Sequence, residues 1–133
     1  MSGGTGLRTV HRRYVSFDHA HYAGGLVDGA FVLGLFGDVA TEVCIRLDGD
    51  EGLFASYHDV QFRAPVYGGD VVEAEAVVEH VGRRSRRLRF QCRVVARARS
   101  GGRPGAATVL DPPIVAVDAV GTVVVPAPAE EVS

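Results

Sequence analysis

Two carboxylates, Asp38 and Glu42, lie four residues apart in the apolar stretch between residues 27 and 47. This spacing places both side chains on one face of a helix, where a carboxylate pair can accept a proton or bind a cation. Carboxylates among apolar side chains lose hydration, so they are usually paired, hydrogen-bonded or shifted in pKa. The neighbouring residues favour such a functional pair: Leu35, Phe36, Val39, Val43 and Ile45. A solvated helix face is the alternative that this stretch leaves open.

A second group of polar and small residues comes just before the helical pattern. His21 and Tyr22 are followed by Gly24 and Gly25, and glycines permit a tight backbone turn. Asp28 stands where an acidic side chain caps the first N–H groups of a helix and complements its dipole. A loop histidine is more often a surface or hydrogen-bonded residue than a catalyst, so a structural role for His21 and Tyr22 stays open.

The charge of the chain is nearly balanced, with 14 basic and 16 acidic residues and a net charge of −2. All the basic residues are arginine, and five of them fall between residues 83 and 89. Arginine forks suit phosphate recognition, and a solvated strand face is the alternative for this cluster. The balance lacks the basic excess of a nucleic-acid-binding domain, so no nucleic-acid partner is expected.

The rest of the composition predicts a cytoplasmic protein. No apolar run approaches the roughly 20 residues that span a bilayer, and the first residues lack the apolar core of a signal peptide. Cys44 and Cys92 lie in apolar contexts without metal-binding spacing, which predicts buried free thiols. Neither a phosphate-binding loop nor a zinc motif occurs, so no metal or nucleotide cofactor is expected.

One long helix and several strands must position these residues. Apolar periodicity predicts the helix over residues 27–47, ended by the turn at 47–52. Gly34 and Gly37 lower its helix propensity, and we expect them to let another backbone or a sheet approach closely. Strands are predicted at 9–17, 53–63, 71–81, 88–98 and 112–125, the last with a break near Gly121. The length fits one domain, residues 1–126, followed by a mobile tail at 127–133.

A single apolar helix followed by antiparallel strands predicts an α+β fold in which a curved sheet covers the helix. One copy of such a fold leaves a sheet edge and part of the helix uncovered. Dimerisation would hide both surfaces, so a homo-oligomer is expected.

Motifs along residues 9–125 resemble those of the β-aminoacyl-CoA ammonia-lyases, enzymes of the hotdog fold, in which a curved antiparallel β-sheet wraps a long central helix. The most specific motifs are AHYAGGLVDGA (20–30) and GDVATE (37–42). DGD (48–50), LF (53–54) and FRAPVYGGD (62–70) also match, and VEHVGRRS (78–85) and PPIV (112–115) match more weakly. The resemblance implies removal of ammonia from a 3-aminoacyl-CoA thioester to give an enoyl-CoA, or the reverse addition of an amine.

The resemblance also implies catalytic roles. Glu42 is the leading candidate for the base that removes the α-proton, and Asp38 would bind the substrate ammonium or hold Glu42 in position. Because neighbouring carboxylates titrate together, the division of roles between them stays open. Tyr22 would donate a hydrogen bond to the thioester oxygen or the amine, with His21 orienting it.

Substrate contacts are expected from a further set of residues: Gly24, Gly25, Leu26, Tyr57, Arg84 and Arg86. Backbone N–H groups where the Gly24–Gly25 turn leads into Leu26 and Val27 would stabilise the enolate oxygen. Tyr57 would line the acyl pocket of a neighbouring subunit, and the arginines would contact phosphate.

No cofactor is implied beyond the coenzyme A that forms part of the substrate, with an acyl carrier protein as the alternative carrier. The expected assembly is a homo-oligomer, either a dimer or a trimer of dimers. A hotdog thioesterase or an enoyl-thioester hydratase could use the same two carboxylates, so both remain alternatives. A non-catalytic module that binds acyl thioesters is a third alternative.

Overall fold

The computed structural model describes residues 3–126. One helix, α1 (Gly29–Asp48), packs against one face of a five-stranded antiparallel sheet. The chain forms these strands in order: β1 (Arg8–Tyr14), β2 (Ala20–Tyr22), β3 (Leu26–Val27), β4 (Leu53–Phe62), β5 (Val71–Val81), β6 (Ser85–Ala98) and β7 (Ala107–Val124). The sheet order is β1-β5-β6-β7-β4, and β2 pairs with β3 in a separate hairpin before the helix. This arrangement confirms the predicted α+β hotdog fold, whereas the predicted tail lies outside the described residues.

Local signals at both ends of α1 set its bounds. Asp28 is the N-cap, and its Oδ1 accepts a hydrogen bond from the backbone N–H of Phe31 at 3.2 Å. Gly49 ends the helix in the left-handed conformation, with φ of 69°, and its N–H donates to the carbonyl of Ile45. Both contacts satisfy backbone groups that the helix itself leaves unpaired, and they confirm the capping role predicted for Asp28.

The core lies between α1 and the sheet face that it covers. Alternate residues of β5 and β6 point into this core, which confirms the period-2 pattern of both strands. A stacked aromatic contact joins Phe36 of the helix to Phe90 of β6, with ring centroids 5.0 Å apart. The following residues of these three elements are buried: Val32, Leu35, Phe36, Val39, Ala40, Val43, Cys44, Val72, Ala74, Ala76, Val78, Leu88, Phe90, Cys92 and Val94.

Three strands differ from their predicted extent. β6 begins at Ser85, three residues before its predicted start. β1 ends at Tyr14, three residues before the predicted end, since residues 17–19 form a 3₁₀ turn. β7 begins at Ala107 and continues through Gly121, so the predicted break is wrong. A Cβ at Gly121 would lie 2.8 Å from the Phe54 ring and 3.0 Å from the carbonyl oxygen of Ser56. Glycine is therefore needed there for the close approach of β4 rather than to interrupt the strand.

Part of the fold is left uncovered in one copy of the chain. β4 is an edge strand, and Leu53 and Phe62 at its two ends are 70% and 59% exposed. A Cβ added at Gly34 or Gly37 would meet nothing within 4 Å beyond the helix itself among residues 3–126. The expected close approach at these two glycines is therefore wrong within a single protomer. No helix in the described part of the chain has the length and apolar character needed to cross a membrane.

Candidate active site

The two carboxylates of α1 are exposed in one protomer, with 61% of the Asp38 side chain and 50% of the Glu42 side chain accessible. Val39 and Val43 face the sheet and are fully buried, and each carboxylate is rotated about 100° away from the valine that follows it. The expectation of apolar surroundings for the pair is therefore wrong within one protomer. In the isolated chain the two carboxylates lie on a solvated helix face, which was the alternative interpretation of this stretch.

Polar side chains of β1 contact the same face of α1. Alternate residues of the strand meet every fourth residue of the helix in three pairs: Thr9 with Arg46, His11 with Glu42, and Arg13 with Asp38. Nε2 of His11 lies 2.6 Å from Oε1 of Glu42, and Nη2 of Arg13 lies 3.7 Å from Oδ2 of Asp38. Neither His11 nor Arg13 was among the residues predicted for the site. The sequence signal for them was the spacing of polar residues, which recur at every second position in the strand and at every fourth position in the helix.

The glycine turn before the helix is fixed by contacts with the segment before β5. Gly24 and Gly25 have φ of 78° and 79°, a region that favours glycine. The Gly25 carbonyl accepts a hydrogen bond from the N–H of Gly68 at 2.9 Å. The N–H of Val27 donates to the carbonyl of Val66 at 2.9 Å, so it is not free to bind a substrate oxygen. The predicted oxyanion hole is thereby restricted to the amides on the N-terminal side of Val27.

Tyr22 and Leu26 line a cavity of about 430 Å³ beside the N-terminus of α1. The cavity wall is mainly apolar and includes Val32 and Phe62. Tyr22 is 53% exposed, and the ring of His21 meets it edge-on at a centroid distance of 4.6 Å. The structure thus brings the His21–Tyr22 pair, the glycine turn and Leu26 together at one end of the helix.

This cluster and the carboxylate pair are far apart within one protomer. Glu42 follows the N-cap, Asp28, by 14 positions, which corresponds to about 20 Å along a helix that rises 1.5 Å per residue. The α-carbon and the carbonyl oxygen of a thioester are separated by only two bonds. One protomer therefore does not place the glycine turn and Glu42 around the same substrate atoms.

Tyr57 of β4 packs within its own protomer. Its ring lies 4.5 Å from that of Phe54 and 6.2 Å from that of Phe90. Its hydroxyl donates to the carbonyl of Leu33 at 3.4 Å, and burial raises the pKa of Tyr57 to about 12. These contacts describe a packing residue, and a role in a neighbouring subunit's pocket stays a prediction.

Arg86 is held inside the protein. Its Nε and Nη2 donate to both carboxylate oxygens of Asp48 at 2.9 and 2.8 Å, and Nη1 donates to the carbonyls of Gly82 and Ser85. The residue is 8% exposed. Since the guanidinium is already occupied, the geometry favours a structural role over the predicted substrate contact.

The other arginines of the cluster divide between two surfaces. Arg87 and Arg89 both pair with Glu79 on the exposed sheet face, as expected for a solvated strand face. Arg84 borders a hollow of about 360 Å³ whose wall also carries Asp50 and Glu51. The negative charges of these two carboxylates repel a phosphate group, so the structure does not support phosphate binding at Arg84. Phosphate binding there stays a prediction.

No group of three or more His, Cys, Asp or Glu side chains within the described range has an arrangement that could hold a metal ion. The polar groups near the helix can exchange protons and form hydrogen bonds. The carboxylates supply proton acceptors, and the glycine turn and Tyr22 supply candidate hydrogen-bond donors.

Comparison with known proteins shows similarity to enzymes of thioester chemistry. The sequence model of the thioesterase superfamily matches residues 24–100. The 3-aminobutyryl-CoA ammonia lyase of Acetoanaerobium sticklandii is 48% identical over 120 residues, which cover 90% of this chain and 95% of that relative.

Solved structures extend this similarity to the backbone. The β-alanyl-CoA:ammonia lyase from Clostridium propionicum superposes with a TM-score of 0.86 and 36% identity, covering 91% of this chain and 86% of that one. A hexameric hotdog-fold thioesterase of Campylobacter jejuni superposes with a TM-score of 0.71 and 19% identity, covering 86% of this chain and 79% of that one. At this lower identity the likeness shows the fold alone.

Proposed function

We infer that this chain, which belongs to the thioesterase superfamily and within it to the 3-aminoacyl-CoA ammonia-lyases, is a carbon–nitrogen lyase of the hotdog fold. It eliminates ammonia from a 3-aminoacyl-CoA thioester to give an enoyl-CoA, or adds an amine in the reverse direction. The observation that carries this conclusion is the relationship to the 3-aminobutyryl-CoA ammonia lyase over nearly the whole length of both chains. The adjacent carboxylates Asp38 and Glu42 suit an amine substrate, because an anionic pair attracts an ammonium group.

The complete site is formed between protomers of a homo-oligomer. The helix N-terminus and Glu42 are too far apart to share one substrate within a protomer, so a partner must supply one of them. The uncovered surfaces favour such an assembly, since β4 is an edge strand with exposed apolar ends and α1 has an open face at Gly34 and Gly37. The assembly we propose is a two-fold dimer, alone or as a trimer of dimers, in which one protomer supplies the glycine turn and the other supplies Glu42.

Elimination in this site needs one base and a stabilised enolate. Glu42 removes the proton from the α-carbon, and the electron pair moves onto the thioester oxygen as an enolate. Backbone N–H groups of the turn at Gly24 and Gly25 hydrogen-bond that oxygen. The enolate then re-forms the carbonyl and a carbon–carbon double bond, while the β-carbon–nitrogen bond breaks and its electrons leave with ammonia. The proton now held by Glu42 passes to ammonia or to solvent.

The neighbouring groups orient the substrate. Asp38 lies one turn before Glu42 and attracts the ammonium group, while Tyr22 donates a hydrogen bond to the thioester oxygen or the amine. His21 meets the ring of Tyr22 edge-on and holds its orientation. The apolar cavity beside Tyr22 and Leu26 accepts the acyl chain or the neighbouring part of the thioester arm. Coenzyme A is the carrier that the relatives' names support, and a cytoplasmic location suits such a substrate.

Addition of ammonia to an enoyl thioester tests this function directly. Purified protein is incubated with crotonyl-CoA and acryloyl-CoA in ammonium buffer, and the products are followed by mass spectrometry. A mass gain equal to ammonia is expected. A gain equal to water would identify a hydratase, and release of free coenzyme A would identify a thioesterase.

Replacing the base provides the matching variant. Glu42→Gln should lower kcat by about 100-fold or more, since general-base catalysis contributes roughly 10²- to 10⁴-fold. The control is Glu79→Gln on the opposite sheet face, where the carboxylate pairs only with Arg87 and Arg89 among the residues described. Near-normal activity of a folded Glu42→Gln protein would exclude Glu42 as the base.

A further inference from the structure

A buried ion pair holds the segment before β5, at residues 65–70. The side chain of Asp70 is fully buried, and Arg97 of β6 donates to both of its oxygens, from Nε at 3.0 Å and from Nη2 at 2.9 Å. Asp70 also accepts a hydrogen bond from the backbone N–H of Tyr67 at 2.8 Å, which closes a turn within the segment. A carboxylate is costly to bury unless it is paired and hydrogen-bonded, so Asp70 depends on these donors.

Arg97 also contacts the other end of the same segment. Its Nη2 donates to the carbonyl of Pro65 at 3.0 Å, and its guanidinium lies over the ring of Tyr67, 4.8 Å from the centroid. The Asp70 end is anchored separately, because its carbonyl accepts a hydrogen bond from the N–H of Val15 at 2.8 Å. One guanidinium therefore ties Pro65 and Tyr67 to the anchored end of the segment.

The middle of this segment holds the glycine turn before α1. The N–H of Gly68 donates to the carbonyl of Gly25 at 2.9 Å, and the carbonyl of Val66 accepts from Val27 at the same distance. A Cβ added at Gly24 or Gly25 would meet nothing within 4 Å in the described part of the chain. The turn therefore has open space at both glycines, and glycine is the residue with the most conformational freedom. The two hydrogen bonds tie this turn to the segment that Arg97 holds.

We propose that Arg97, together with Asp70, is a positioning residue for the glycine turn that stabilises the enolate. This inference rests on the proposed lyase function and adds an ion pair, remote from the reacting atoms, on which that function depends. The contacts run from Arg97 through the backbone of residues 65–70 to the carbonyl of Gly25. A donor stabilises an oxyanion only while it points to the position where the charge develops. A misplacement of about 1 Å can lower the rate by about 100-fold.

Replacing Arg97 with lysine tests this role without leaving Asp70 unpaired. Lysine keeps the positive charge, but its compact ammonium cannot reproduce the planar fork that binds Pro65 and both Asp70 oxygens. Since part of the contact survives, kcat for ammonia addition to crotonyl-CoA should fall by about 10-fold or more. KM should change by less than about 3-fold, because the charge on the thioester oxygen is absent from the bound substrate.

Arg93→Lys is the matched control. Arg93 lies on the same strand, its side chain is 16% exposed, and it pairs with Glu73 and Glu75 on the sheet face opposite α1. This variant also exchanges a fork for a point charge in a partly buried ion pair, so it should lose a similar amount of stability. Its kcat should stay within about 2-fold of wild type, since its partners do not hold the segment at residues 65–70.

Amide hydrogen exchange gives a readout that does not depend on activity. In folded Arg97→Lys, the amides of Gly68 and Val27 should exchange about 10-fold faster than in wild type, because their hydrogen bonds open more often. The amide of Val78, which donates to the carbonyl of Leu7, should keep its wild-type rate. Asp70→Asn keeps the shape of the side chain and weakens its bond to Arg97, so it should show the same changes in exchange and kcat.

Faster exchange of the two turn amides together with a lower kcat would support the proposal. A wild-type kcat in folded Arg97→Lys, or a lower kcat with unchanged exchange, would overturn it. An equal loss of kcat in Arg93→Lys would also overturn it, since any disturbed ion pair of β6 would then suffice. A higher KM at unchanged kcat would show that the segment only lines the cavity. If the wild-type protein adds no ammonia to either enoyl thioester, the proposed function itself fails, and the exchange rates still decide whether Arg97 holds the turn.

Discussion

Arg86→Met is expected to destabilise the protein without weakening substrate binding. The substitution leaves the Asp48 carboxylate and the carbonyls of Gly82 and Ser85 without their guanidinium donor. Removing one partner of a buried ion pair costs about 3–5 kcal/mol. The side chains of Arg86 and Asp48 are 10% and 18% exposed, so water partly compensates and the lower end of the range, about 3 kcal/mol, applies.

This free energy corresponds to a measurable change in melting temperature. An unfolding entropy of about 2.1 cal/mol/K per residue gives about 0.28 kcal/mol/K for 133 residues. A loss of about 3 kcal/mol therefore lowers Tm by about 10 °C, measured by calorimetry at one fixed protein concentration. Because the double variant Asp48→Leu with Arg86→Met has no unpaired carboxylate, it should recover part of this loss.

Arg87→Met is the matched control for this prediction. Arg87 follows directly in β6 but points to the exposed face, where it and Glu79 are 49% and 31% exposed. Exposed ion pairs contribute at most about 1 kcal/mol, so its Tm should fall by less than about 4 °C. If Arg86→Met melted like wild type and raised the KM for the CoA thioester, Arg86 would be a substrate ligand and the structural argument would be refuted.

Three further predictions concern the core, the helix cap and the alkaline range. Burial raises the pKa of Cys44 to about 11 and that of Cys92 to about 12, so neither thiol should react with Ellman's reagent at pH 8 until denaturant is added; fast reaction of folded protein would contradict this. Asp28→Ala removes the helix cap and should cost about 1 kcal/mol in urea unfolding, whereas Asp28→Asn should retain most of that stability. Tyr57 has a pKa of about 12 in the folded state against an ordinary value of 10, so the unfolded chain loses the proton first. The free energy of unfolding should therefore fall between pH 10 and 12, and Tyr57→Phe should remove that part of the fall.

The elements that could be predicted from the sequence are those whose signals are local. The cap at Asp28 and the turn after Asp48 bound the helix to within two residues, because capping depends on a few adjacent side chains. Strands β5 and β6 followed from their period-2 apolar pattern, which one buried face imposes. Gly121 was misinterpreted as a break in the strand, because glycine is needed there to make room for the Phe54 ring of another strand.

The surroundings of Asp38 and Glu42 could not be predicted from local sequence signals. Val39 and Val43 follow Asp38 and Glu42 directly in the sequence, but helical rotation sends them to a different face. The residue that does contact Glu42 is His11, 31 positions earlier, on a strand whose register against the helix has no local signal. The chemistry thus followed from the resemblance of the motifs to the ammonia-lyases, whereas the partners of the two carboxylates depended on tertiary packing.

The burial of the two cysteines affects how readily the protein reacts with its own enoyl-thioester product. An enoyl thioester is a Michael acceptor, which alkylates thiolates and unprotonated amines. Cys44 and Cys92 are both 0% exposed and their thiols are held protonated by burial, and the chain contains no lysine. A protein that releases an electrophile thus presents neither an accessible thiol nor a lysine amine to it.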